Sequence, residues 1–181
     1  IKRVLEQTGK DAIFVDGDIG FWKDINKYFD QSALSQGDIL CALEPDDIGF
    51  CCGFTYFTHR EKTFRFIDHV IAEQKKILGQ SGEFIGEQAV FNSIVTENSK
   101  TCPAKVIGLP EKEFCNGHYL KTPGCWTADG DVRKGIVGSE MYLAHANWMK
   151  GIARKRRFLK RLGLYKSEKW QRIEITKIWR S

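Results

Sequence analysis

The stretch Ile13-Phe14-Val15-Asp16-Gly17-Asp18-Ile19-Gly20-Phe21-Trp22-Lys23-Asp24 begins as an apolar strand and runs into two carboxylates separated by a single glycine. Side chains alternate along a strand, so Asp16 and Asp18 are expected to point the same way, with Gly17 leaving room between them. Two such oxygen ligands suit a hard divalent cation, and ions of the Mg²⁺ type complete their coordination with phosphate oxygens and water. Two aspartates flanking a glycine also make a solvated turn. The company the motif keeps therefore decides its meaning.

On either side the chain alternates helical and extended segments. Residues 1–7 read as the end of a helix closed by Gly9, residues 12–15 as a short buried strand, and Gly37-Asp38 as a turn into a strand over residues 39–43. The aromatic run Phe50-Cys51-Cys52-Gly53-Phe54-Thr55-Tyr56-Phe57 reads as a strand inside a sheet. Phe64, Ile67, Val70, Ile71 and Leu78 fall on helical spacing over residues 61–78, with Gly79 as the stop. A second helix is predicted over residues 83–97, its interior face carrying Ile85, Ala89, Phe91, Ile94 and Val95. Residues 105–109 and 141–144 read as further strands. Strands alternating with helices, without repeats, indicate an α/β domain.

Composition narrows the class. At 181 residues and 42% hydrophobic, the chain has the size of one domain with a substantial core. No apolar run reaches the roughly 18 residues that a membrane-spanning helix needs. The start at Ile1-Lys2-Arg3 is no signal peptide and lacks an initiator Met, so a fragment or processed product is expected. The net charge of +5 is concentrated late, in Lys150, Arg154, Lys155, Arg156, Arg157, Lys160 and Arg161 with no intervening acid. This basic segment, with Trp148, Trp170 and Trp179 nearby, suits an anionic lipid or nucleic-acid surface, but a solvated helix face packed through Ile152, Phe158, Leu159 and Leu162 is the favoured reading. The six cysteines have no zinc spacing, and Cys51 and Cys52 are expected as packed, reduced thiols. Gly9-Lys10 lacks phosphate-loop spacing, no nucleophile elbow occurs, and His59 and His69 read as surface or helix residues.

A second constellation is Tyr142-Leu143-Ala144-His145-Ala146-Asn147-Trp148-Met149-Lys150-Gly151. His145 follows a short apolar strand as Asp16 does, which places both at strand ends, where open α/β sheets bind ligands. An imidazole beside two carboxylates gives a mixed N/O set that suits Mn²⁺ better than Ca²⁺. Asn147, Lys150 and Gly151 then read as a diphosphate-binding turn, since glycine admits phosphate to the backbone and lysine adds a point charge. A third segment, Phe84-Ile85-Gly86-Glu87-Gln88-Ala89-Val90-Phe91-Asn92, opens a helix with a carboxylate and an amide. Periodicity leaves two readings equal: a helix start favoured by an acid in its first turn, or side chains projecting into a sugar-binding cleft.

Together these segments, with Cys52-Gly53-Phe54, the run from Phe114 to Asn116-Gly117, and the basic helix ending near Leu162-Gly163-Leu164-Tyr165, resemble the nucleotide-diphospho-sugar transferase family. These are D-x-D glycosyltransferases of the GT-A fold, which include plant cell-wall pentosyltransferases. The resemblance implies a Rossmann-like mixed sheet flanked by helices and a single domain over residues 1–181. It implies a D-x-D motif in which Asp18 is the stronger metal ligand and Asp16 is shared between metal and ribose, with His145 completing the site around Mn²⁺ or Mg²⁺. Asp16, Gly17, Asn147, Lys150 and Gly151 would hold the nucleotide sugar, Glu87 and Gln88 would serve catalysis beside the donor sugar, and Asn116 and Gly117 would lie where the acceptor enters.

The implied activity is a metal-dependent hexosyl or pentosyl transfer from a UDP- or GDP-sugar to a hydroxyl on a glycan or glycoprotein. Retention is implied by the His-containing C-terminal arrangement. The family commonly has Asn at the position of Cys51 and Asp at that of Glu87. Its base-binding βαβ unit precedes the D-x-D strand, so the chain is expected to be N-terminally incomplete. The alternative is a noncatalytic GT-A-like binding domain or part of a larger assembly. No nucleic-acid partner is favoured, and a peripheral membrane contact would use the basic helix. The Golgi lumen would follow for a longer type II membrane protein, the cytoplasm for a microbial or viral one.

Overall fold

The computed structural model describes residues 1–29, 36–44, 49–96, 101–117, 120, 140–147 and 149–164. Trp148, Trp170, Trp179, Tyr165 and Cys125 lie outside them. Helix α1 (Lys2–Thr8) ends at Gly9, and β1 (Ala12–Val15), β2 (Ile19–Phe21) and α2 (Asn26–Phe29) follow. Next come β3 (Ile39–Leu43), β4 (Phe50–Phe57), α3 (Glu61–Ser81) and α4 (Glu87–Thr96). Short strands β5 (Val106–Gly108), β6 (Phe114–Cys115) and β7 (Leu143–His145) precede α5 (Ile152–Arg161).

Two sheets form among the described residues. One has the order β1-β4-β3-β5, antiparallel except for the parallel β3/β5 pair, and the other has the order β2-β7-β6. The D-x-D segment is the turn that carries the chain from the first sheet to the second: Val15 pairs with Phe54 of β4, and Ile19 pairs with His145 of β7. Asp16 and Asp18 are thus aimed by a turn, closed by Ile19 N–H donating to the Asp16 carbonyl, rather than by continued strand alternation.

The core has three parts. Leu5, Phe66, Ile67, Phe91 and Ile94 pack helices onto one face of the first sheet, and Phe29, Phe54, Tyr56, Phe114 and Leu143 fill the space between the sheets. Cys115, Met141, Ala144, Phe158, Leu159 and Leu162 seat α5 on the second sheet. Asp38 ties the strand start together, its buried carboxylate accepting from Lys105 N–H and pairing with Arg60.

Several expectations need correction. Strand β1 is a sheet edge rather than a buried strand, and Phe14 and Val15 are exposed. Helix α3 runs through Gly79 to Gly82, whose φ of 70° supplies the left-handed cap that a side chain would resist. A single glycine inside a long helix costs only about 1 kcal/mol, and packing outweighs it. Phe66, not Ile71 or Leu78, is the buried anchor of α3, while Ile85, Ala89 and Ile152 face solvent. The described cysteines are all free thiols, as expected.

Candidate metal centre

Bringing β2 beside β7 places Asp18 next to His145, and the Asp18 carbonyl accepts the Ala146 N–H. His145 Nε2 lies 3.2 Å from Asp18 Oδ1 and 3.5 Å from Asp16 Oδ2. One ligand atom from each of the three residues falls within 4.8 Å of the others. The His145 side chain is almost fully buried, Asp18 is 18% exposed and Asp16 44%, so the cluster opens to solvent on the Asp16 side. Two carboxylate oxygens and one imidazole nitrogen converging on an open side fit a divalent cation such as Mn²⁺ or Mg²⁺.

The floor of the cluster is Gly53. Strand β4 has its register irregularity opposite the Cys41/Ala42 step, and the residues set out of register there include Gly53. Such bulges re-aim groups beside sites. The Gly53 carbonyl accepts Asp16 N–H at 2.8 Å. A β-carbon at Gly53 would collide with His145 Cε1 and come within 2.7 Å of Asp16 Oδ2, so only glycine lets the ring and the carboxylate close over the strand.

Lys155 is the site residue that sequence reasoning missed, having singled out Lys150. Its Nζ lies 2.6 Å from Asp18 Oδ2. A signal was available, because Lys155, Phe158, Leu159 and Leu162 share one face of α5 at helical spacing, which makes Lys155 a cation on an otherwise apolar, inward stripe. Burial raises the Asp18 pKa, but the hydrogen bond from Lys155 and the charges of His145 and Lys155 outweigh it and hold the carboxyl below its ordinary range. Lys150 itself is exposed and, with Gly151, forms the link into α5.

Burial draws the His145 imidazole below its ordinary 6.5 against the opposing pull of Asp18 and Asp16. It is therefore neutral at pH 7, the form that ligates metal. The sign of the linkage follows. Below about pH 6.5 the unfolded chain takes up a proton that the folded one still refuses, so stability falls as pH drops through that value. Urea midpoints of the metal-free protein measured from about pH 7.5 to 5.5 should show this fall, and His145→Gln should flatten it. An unchanged slope in the variant would assign the proton to another group.

The other sequence candidates are placed as follows. Gln88, in the first turn of α4, has its Oε1 accepting Cys52 N–H of β4 and its Nε2 donating to Glu44, just past β3. Glu87 is exposed at the first position of α4 and borders an apolar groove of about 430 Å³ with Phe14, Cys52 and Phe91. Asn147 accepts Gly117 N–H at 2.7 Å and donates toward Cys51 Sγ at 3.5 Å. Asn116 is 1% exposed and donates to the Leu43 carbonyl and to Glu111, and Gly117 is buried against Asn147. Of the two, Gly117 is the one that contacts the loop carrying Asn147.

The model of the nucleotide-diphospho-sugar transferase family matches residues 1–159. The chain belongs to that family. Among solved structures, a glycosyltransferase involved in glycosylating the major capsid of PBCV-1 is similar, with 10% identity and a TM-score of 0.57 over 88% of this chain and 71% of that one. The galactosyltransferase LgtC, in complex with donor and acceptor sugar analogues, is 10% identical with a TM-score of 0.48, covering 88% of this chain and 63% of that one. The glycosyltransferase GlyE of Streptococcus pneumoniae TIGR4 is 15% identical over 61% of this chain with a TM-score of 0.45, and the match spans 26% of GlyE. No curated protein sequence matches the chain. The fold is the GT-A type, a mixed α/β arrangement of sheets flanked by helices. Within this family member, the Asp16-Asp18-His145 cluster lies where the two sheets meet.

Proposed function

We propose that this domain is a metal-dependent glycosyltransferase that moves a sugar from a nucleoside-diphosphate donor, UDP- or GDP-linked, to a hydroxyl of a glycan or glycoprotein. The observation that carries the reading is the convergence of Asp16, Asp18 and His145 in a member of a nucleotide-diphospho-sugar transferase family. These three residues would hold Mn²⁺ or Mg²⁺, which when bound would supply positive charge against the leaving diphosphate. Lys155 would add a second cation there once released from Asp18, with Asn147, Lys150 and Gly151 bordering the same space and Gly17 keeping it open. Asn116 and Gly117 would shape the acceptor side, Gly117 by holding Asn147.

In the transfer, the bond from the sugar C1 to the diphosphate oxygen breaks and a bond from C1 to the acceptor oxygen forms. The acceptor proton passes to the departing diphosphate. Retention is the outcome proposed, and the anomeric configuration of the product by NMR decides it. Membrane contact, if any, would fall on the exposed basic face of α5.

The first test is calorimetric titration with Mn²⁺ and then UDP or GDP, where binding of nucleotide only in the presence of metal is the expected result. Metal-independent binding, or none with either nucleotide, would remove the reading. Glu87 supplies a cleaner probe of the sugar side than Gln88, whose amide is engaged in the fold. Because Glu87 is exposed, Glu87→Ala should change stability by about 0.5 kcal/mol or less. Turnover of the donor should nevertheless fall at least roughly tenfold, since one placed polar group in a transition state is worth that or more. Release of free nucleotide measures it, and full activity in Glu87→Ala would take this helix out of the reaction.

A further inference from the structure

His145 meets the rest of the protein through its second nitrogen. Cys51 Sγ lies 3.5 Å from His145 Nδ1, on the side of the ring away from the carboxylates. Cys51 is 2% exposed and His145 5%, so no solvent competes for this contact. The sulfur also faces Asn147 Nδ2 at 3.5 Å, and Asn147 in turn is fixed by the Gly117 N–H.

The hydrogen-bond count then gives the sulfur a function. The sulfur already accepts from the Asn147 amide, so its lone pairs serve donors. The donors that face it are the Asn147 amide and, when Nε2 is committed to a cation, the His145 Nδ1–H. A metal-bound histidine ordinarily donates its other N–H to a carboxylate, a carbonyl or a water that fixes the ring and its tautomer. The Nδ1 side of this ring faces a thiol.

We propose that Cys51 is a positioning residue for the metal centre, accepting the Nδ1–H of His145 and so presenting Nε2 to a divalent cation held with Asp16 and Asp18. The inference rests on the reading of those residues as a metal site. It extends the site through the thiol to Asn147, whose Oδ1 accepts the Gly117 N–H at 2.7 Å.

The test is Mn²⁺ affinity of the full chain, read by electron paramagnetic resonance of the free ion, in Cys51→Ala, Cys51→Ser, His145→Ala and the Cys51→Ala/His145→Ala double variant. Cys51→Ala should weaken Mn²⁺ binding roughly 10-fold to 100-fold, the usual effect of losing a partner of a ligating histidine. Cys51→Ser keeps an acceptor and should stay within about threefold of the parent. If Cys51 acts through His145, adding Cys51→Ala to His145→Ala should cost nothing further. Affinity in Cys51→Ala within twofold of the parent, or losses that multiply in the double variant, would overturn the inference while leaving the metal site standing. An unaffected His145→Ala would remove the metal site itself. Should Cys51→Ala not fold, the parent protein decides: with Mg²⁺ bound, the ¹⁵N spectrum of His145 should show a protonated Nδ1, and a protonated Nε2 overturns the proposal.

Discussion

Asp18→Asn should abolish metal-dependent nucleotide binding, lowering divalent-cation affinity by at least roughly 100-fold, because it neutralises the best-placed ligand of the cluster. Asp18 is more enclosed than Asp16, 18% against 44% exposed, and closer to His145. Asp16→Asn should therefore weaken the metal less. The variant should fold: the side chain keeps its volume, and the contact it gives up with Lys155 is a partly exposed ion pair, a class worth about 0–1 kcal/mol. Removing Asp18's negative charge also frees Lys155, so a general electrostatic loss is separable from a ligand loss by comparing Asp18→Asn with Lys155→Met. The first should bind Mn²⁺ far more weakly than the parent, and the second at least as tightly, since a cation that occupies Asp18 has been removed. Parent-like calorimetry in Asp18→Asn would end the metal assignment.

Gly53→Ala should damage both the fold and the metal cluster. The added carbon meets His145 Cε1 and Asp16 Oδ2, two of the groups that must converge, and neither is the far end of a long flexible chain. The ring is buried and held from behind by Cys51, while the Asp16 backbone is tied to the Gly53 carbonyl. Overpacking in a buried, fixed setting costs about 1–3 kcal/mol. Relief by turning Asp16 outward would spend part of that strain on the metal site instead. The expected result is a lowered melting temperature together with Mn²⁺ affinity at least roughly tenfold weaker, whichever way the strain divides. A variant with parent-like melting and parent-like Mn²⁺ binding would show that Gly53 is not the floor of the site.

Local chemistry was readable from residue order wherever a segment carries its own instruction. The apolar run 50–57 is a strand of that length, residues 39–43 follow their Gly37-Asp38 turn, and Gly9 closes the first helix, because propensity, burial and chain reversal are decided within a few residues. The two aspartates and the histidine could be picked out by type and by their position at strand ends. What periodicity could not supply was partnership. Whether β1 lies inside the sheet or at its edge depends on what pairs with its other side, and that edge leaves Phe14 and Val15 exposed despite their apolar character.

The same reason separates Lys155 from Lys150. Both are lysines of one basic segment, and only the seating of α5 through Phe158, Leu159 and Leu162 turns Lys155 toward Asp18. Asn116 read as a cleft residue by family order, but burial commits its amide to Leu43 and Glu111. By itself the sequence determined the longer strands and helices and marked the two aspartates and the histidine by type, while β2, α2 and β6 emerged only with the fold. The tertiary structure alone decided that Asp16, Asp18 and His145 meet over a glycine with a thiol behind the ring, because contacts between residues distant in the chain are set by how faces pack, which no local pattern encodes.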